Sequence, residues 1–243
     1  MLAVYRRYPV KQVSIELRLE SGHRVSNGRT WDGRLIRINI GSAATAAAFH
    51  SDWVMTHEMF HLGFPSTDDD LEWMGEGLST YMEPLARARA GNLSEQEVWS
   101  SMLDGLPKGL PRAGDRGLDK TPTWGRTYWG GAMFWLLADI EIRQKSANRK
   151  SLDDVLRAIA AEGGDGSSYW PQSKIFRRGD AAIGMPVLET LHQRLGTRPE
   201  TTDLGALWEE LGVHQRGHAV VFDDNAPLAG IRRAMTAPKA ERP

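Results

Sequence analysis

The sequence predicts an α+β fold: a small N-terminal β-sheet followed by a mostly α-helical C-terminal part. Two observations carry this. Up to about residue 40, apolar and polar side chains alternate with period two, as on half-buried strands. From about residue 43 the pattern turns helical, and strand character returns only near residue 220. Strands first and helices afterwards is the α+β order.

In VKQVSIELRLE, Val13, Ile15, Leu17 and Leu19 share one face. Gly22, Asn27-Gly28 and Asp32-Gly33 are turn signals. LIRINI repeats the alternation with Ile36, Ile38 and Ile40, so the first 40 residues predict an antiparallel sheet. A helix is expected over 43–62, stopped by Gly63 and Pro65. A second runs over 71–90, and Ser94 with Glu97 forms a capping box for a third. Residues 104–126 are rich in glycine and proline and predict a long, functional or mobile loop. Residues 127–146 are an apolar helix, and Ser151 opens another that ends at Gly163-Gly164. Residues 165–183 read as loop-rich. Helices follow at 186–196 and 203–212, then a VVF strand and a polar tail. The expected parts are 1–42 (sheet lobe), 43–146 (helices and loop that hold the site) and 147–243 (helical part), together one compact unit.

The 243 residues carry 30 basic and 31 acidic side chains, a net charge of −1. That balance argues against a nucleic-acid coat. Arg143, Lys145, Arg149 and Lys150 read as a solvated helix end, with cations favoured at a C-terminus. With no cysteine, disulfides, thiolate metal sites and cysteine nucleophiles are excluded. No apolar run approaches the ~18 residues of a membrane span. The start, MLAVYRRYPV, lacks a signal peptide's apolar core. The compartment stays open; an extracytoplasmic location with a leader removed suits a cysteine-free chain.

The chemistry concentrates in His57-Glu58-Met59-Phe60-His61. Histidines at i and i+4 lie on one helical face, so both imidazoles can reach one zinc ion. Glu58 projects beside them, placed to take a proton from water that the metal acidifies. A catalytic zinc needs a third protein ligand, and Glu76 on the next helix offers one. It is flanked by Gly75 and Gly77, poor helix formers that make sense where backbones pack closely. The plainer alternative is two histidines on an amphipathic helix and a carboxylate that a helix start favours.

HEMFH, EWMGEGLSTYME and TYWGGAMFWLLADIEIR together resemble the gluzincin metallopeptidases, and are similar to the alanyl-aminopeptidase-like and glycyl-aminopeptidase-like families. The resemblance covers about residues 50–160. It implies a zincin-type catalytic domain with zinc held by His57, His61 and Glu76, Glu58 as general base, and Tyr128 stabilising the tetrahedral intermediate. It implies a peptide or protein substrate. There are departures. The His61–Glu76 spacing is shorter than in alanyl-aminopeptidase-like enzymes, and Gly130 stands where the family has lysine. GSAATAAAFHSDW replaces the amine-binding Gly-x-Met-Glu-Asn segment, which leaves exo- and endopeptidase action both open. A non-catalytic gluzincin-like binding protein and a zinc hydrolase of a non-peptide substrate are the competing readings.

Weaker expectations attach to other residues. Glu83 reads as a surface carboxylate, or as an acceptor for the far nitrogen of a ligand histidine. Asp139 and Arg143 are spaced to pair. Trp124 and Arg126 could contact substrate. His50 is expected to be structural, and His192, His214 and His218 solvated or core residues. LIRINI is expected to be an edge strand beside the cleft, open to an extended peptide.

Overall fold

In the computed structural model, residues 1–217 and 219–238 are described. His218 lies outside them. The architecture is the expected one: a small N-terminal sheet, then a helical body. α1 (Leu2–Tyr5) is a single turn that buries Val4 and Tyr5 in the main core. The sheet comprises β1 (Ser14–Glu20), β2 (Val25–Trp31) and β3 (Leu35–Gly41).

Its order is β1-β3-β2, with β1 parallel and β2 antiparallel to β3. The antiparallel expectation is therefore corrected: the sheet is mixed, and LIRINI is its central strand, not an edge. The connection after β1 passes over the end of β3. Gly41 makes room there, since a Cβ on it would lie 2.4 Å from the Gly22 carbonyl. Asn27-Gly28 is not a turn but the middle of β2, beside a register shift. Ile36, Ile38 and Ile40 are buried against Val54 and Leu62 in a small cluster of their own. On β1 the burial expected of the alternating face fails: Ile15, Leu17 and Leu19 are 48%, 58% and 77% exposed.

The helix expected over 43–62 is two: α2 (Ala46–His50) and α3 (Val54–Leu62). Asp52 separates them. Its carboxylate accepts hydrogen bonds from the Val54 and Met55 amides at 2.7 and 3.3 Å, capping a new helix start. α4 (Trp73–Arg89) follows, then α5 (Glu95–Gly105) with the Ser94/Glu97 capping box. The glycine- and proline-rich loop contains short 3₁₀ turns and ends in a π-helical turn, Gly125–Gly130, continuous with α6 (Gly131–Lys145). α7 (Leu152–Ala161) starts at the Ser151 box. α8 (Gln172–Ile183) lies where loop was expected. α9 (Val187–Leu191) and α10 (Leu204–Leu211) precede the hairpin β4 (Val213–Arg216)–β5 (Ala219–Phe222). The polar tail contains α11 (Ala229–Thr236), which buries Ile231 and Met235.

The main core runs along α4 and α6, with Trp73, Trp99, Trp135, Phe60, Phe134 and Tyr81 buried. Burying each such side chain contributes about 1.5–3 kcal/mol. Among the described residues, no helix is long and apolar enough to cross a membrane.

Candidate metal centre and its cleft

α3 and α4 pack side by side, and β2 lies across α3. Gly28 on β2 permits this approach: a Cβ there would stand 2.7 Å from both Glu58 Cγ and Ile38 Cδ1. The three elements line a cleft of about 620 Å³, whose walls include Thr30, Trp53, His57, Glu58, His61 and Glu76.

His57 and His61 sit one turn apart on α3, their ring centroids 5.2 Å apart. Glu76 comes from the first turn of α4, where the helix start favours its charge. His57 Nε2 lies 3.0 Å from Glu76 Oε2, and His61 Nε2 lies 3.6 Å from Glu76 Oε1. One donor atom from each of the three residues falls within 4.8 Å of the others. Burial drives the His61 imidazolium down to about 4, so the ring is neutral near pH 7. Burial works to raise the Glu76 carboxyl, but the His57 hydrogen bond and both imidazoles outweigh it and the net shift is down. Two imidazole nitrogens and an ionised carboxylate thus converge on one point, the donor chemistry of a divalent transition metal.

Glu58 stands apart from that triad. It is 7% exposed, and the Thr30 hydroxyl lies 2.9 Å from both its Oε2 and its main-chain oxygen. Desolvation raises its carboxyl against the Thr30 hydrogen bond. Tyr128 is carried by the π-helical turn before α6, a distortion frequent at functional sites. Its ring stacks 6.2 Å from His57, and burial together with the Glu76 charge pushes its hydroxyl up to about 12. The phenol therefore keeps its proton at neutral pH.

No family model matches this sequence, and no curated protein matches it. A search of solved structures does find a likeness. The fold resembles that of an aminopeptidase N family protein. That protein, from Idiomarina loihiensis, superposes with a TM-score of 0.63 at 14% identity, over 87% of this chain and 43% of the other. The chain thus spans less than half of that protein's length, and at this identity the likeness is one of fold.

The structure brings together all five residues singled out in the sequence: His57, Glu58, His61, Glu76 and Tyr128. It also adds Thr30, Gly28 and Trp53. The Trp53 and His57 rings meet nearly perpendicular, at a centroid distance of 5.5 Å. Thr30 carries no signal in the sequence and Gly28 reads as a turn residue, because the β2 sequence, VSNGRTW, does not alternate. Gly77 fits the close-packing expectation: a Cβ would lie 2.3 Å from the Gly131 carbonyl carbon, where α4 crosses α6. Gly75 is different, with room for a Cβ at 3.7 Å from His61 Nδ1. Gly77→Ala forces the two backbones apart and costs about 1–3 kcal/mol, measured as a lower denaturation midpoint. A midpoint equal to the parent's would show that the crossing has slack.

Several weaker expectations are corrected. Glu83 is buried, not a surface carboxylate, and pairs with Arg87 at 2.9 Å rather than with a ligand histidine. Arg126 is buried and paired with Asp115, and it donates to the Gly109 carbonyl at 2.6 Å. Burial inside the loop removes it from any substrate, whereas Trp124 stays exposed beside Tyr128. His192 and His214 are half-buried, in keeping with their expected roles, with His192 Nε2 2.7 Å from Asp119 Oδ2 and His214 Nδ1 3.5 Å from Glu209. His50 is exposed, and its carbonyl accepts from Arg87. Arg143, expected in a solvated helix end, is buried and paired with Asp139.

Proposed function

We propose that this chain is a zinc-dependent metallopeptidase that hydrolyses a peptide bond with Glu58 as general base. The supporting observation is the convergence of His57, His61 and Glu76 at the wall of a cleft that also holds a separate, buried carboxylate. Two imidazoles and a glutamate form an established donor set for catalytic zinc, and these three residues would hold it. When bound, zinc supplies a Lewis acid that polarises a carbonyl and makes water more acidic.

The rest falls to the chain's own side chains. Glu58 accepts a proton at its carboxylate from the attacking water and returns it to the leaving amine nitrogen. Burial makes Glu58 a better proton acceptor, and the Thr30 hydroxyl holds its orientation. Tyr128 donates its retained proton in a hydrogen bond to the carbonyl oxygen as that atom gains charge. An extended substrate finds main-chain partners on β2, the edge strand lining the cleft. The edge-strand role expected of LIRINI thus passes to its neighbour.

The test is elemental analysis of protein purified without chelators, alongside a His61→Ala variant. About one zinc per chain is expected in the parent and a large loss in the variant. Peptide cleavage that survives complete metal removal would overturn the reading. Turnover of esters but not peptides would move the site to another hydrolase class.

A further inference from the structure

β1 is an open edge of a kind folded proteins usually protect. It runs regularly for seven residues, without proline or a register shift, and pairs only with β3 among the described residues. At its two ends, Ser14 donates to Arg34 and Glu20 accepts from Ser42. Even-numbered residues therefore bond to the sheet interior. By the period of two, the amide and carbonyl groups of Ile15, Leu17 and Leu19 point outward. Their side chains stand beside Ile36, Ile38 and Ile40, on the face that α3 covers. α3 lies beneath β2 and β3, so the three β1 side chains overhang it and stay exposed. An unpaired edge with an apolar row invites another strand.

We propose that the occupant is a second copy of this chain, joined by antiparallel pairing of β1 with β1 about a two-fold axis at Leu17. The strand is self-complementary in that register and orientation. Ile15 falls opposite Leu19 of the other copy, and Leu17 opposite Leu17. Glu16 falls opposite Arg18, twice by symmetry, so opposite charges meet on the far face. The outward backbone groups match as well. Ile15, Leu17 and Leu19 become the hydrogen-bonded pairs, and Glu16 with Arg18 becomes the closer, non-bonded pair in which side chains touch best. Such an interface is isologous, as a closed two-fold dimer requires. It extends the sheet to six strands in the order β2-β3-β1-β1-β3-β2. β2 and the cleft stay at the outer edges, open to solvent.

Residue 17 allows a direct test, because the chain has no cysteine. In a hydrogen-bonded antiparallel pair the facing Cα atoms are about 5.5 Å apart, within disulfide range. Under mild oxidation Leu17→Cys should cross-link into a covalent dimer. Ile15→Cys alone should not, because its opposite residue is Leu19; the double variant Ile15→Cys/Leu19→Cys should. Sedimentation of the unmodified protein should give twice the 27.1 kDa chain mass. Leu17→Pro removes only an outward amide, so it should be monomeric with an unchanged helical circular-dichroism spectrum. Arg18→Glu turns both attractive pairs repulsive and should weaken the dimer about tenfold. A monomer at high micromolar concentration would overturn the proposal. So would a dimer that survives Leu17→Pro, or equal cross-linking by Leu17→Cys and Ile15→Cys.

Discussion

On the proposed peptidase function, replacing Glu58 with Gln is expected to lower peptide turnover by about 10²–10⁴-fold and to leave metal content unchanged. The substitution keeps the side chain's length and one carbonyl oxygen, so the Thr30 hydroxyl retains its acceptor. It removes only the ability to take and return a proton. Glu58 does not belong to the group of donor atoms formed by His57, His61 and Glu76. A loss of metal along with activity would therefore contradict the division of roles. Steady-state rates on a peptide library, measured beside elemental analysis, separate the outcomes. Unchanged turnover sinks Glu58 as base. Lost turnover with lost metal reassigns it to the ligand set.

The spatial grouping of these side chains was legible in the sequence because helix geometry is local. Spacing of i and i+4 puts His57 and His61 on one face whatever the rest of the chain does, and Glu76 needed only a turn and a returning helix. Strand order is not local, and there the reading failed. LIRINI has the stronger pattern because it is central and buried, while β2 is irregular at the site it serves. Its inner face must be empty at Gly28 to admit Glu58, and Thr30 must be polar to bond it. The site's demands erase the alternation that announces a strand.

The C-terminal errors have a related cause: buried charge. α11 looked like a polar tail because it carries Arg232 and Arg233. Arg232 is 1% exposed, donates to the Leu211 and Gly212 carbonyls, and pairs with Glu95. α8 likewise buries Gly179 and Asp180 among its apolar residues, with Asp180 accepting from the Leu188 and Glu189 amides. Both helices keep a one-sided apolar face, but a buried charge interrupts it and the segment as a whole reads as polar.

The same principle predicts a large stability effect at Asp139. Asp139→Ala destabilises the fold by about 3–5 kcal/mol. Asp139 is 1% exposed and accepts hydrogen bonds from Tyr81 Oη, Arg143 Nε and the Leu152 amide, at 2.9, 2.9 and 2.8 Å. It therefore ties α4, α6 and the start of α7 together at one carboxylate. Alanine leaves the Arg143 guanidinium, 5% exposed at the side chain, without its buried counter-charge. It also strands the Tyr81 hydroxyl and the Leu152 amide. Lys145 and Glu141 provide the control, since they pair with the same spacing on the same helix but with the lysine 50% exposed. Lys145→Ala should change stability by no more than about 0.5 kcal/mol, as solvent already screens that pair. Denaturant melts of the two variants beside the parent decide the matter. For a chain of this length, the Asp139 loss corresponds to a Tm drop of roughly 6–20 °C. Equal midpoints for the two variants would mean that burial adds nothing to the Asp139 pair. Because α4 carries Glu76 and α6 continues from the turn that holds Tyr128, Asp139 is also where the stability of the fold and the geometry of the site meet.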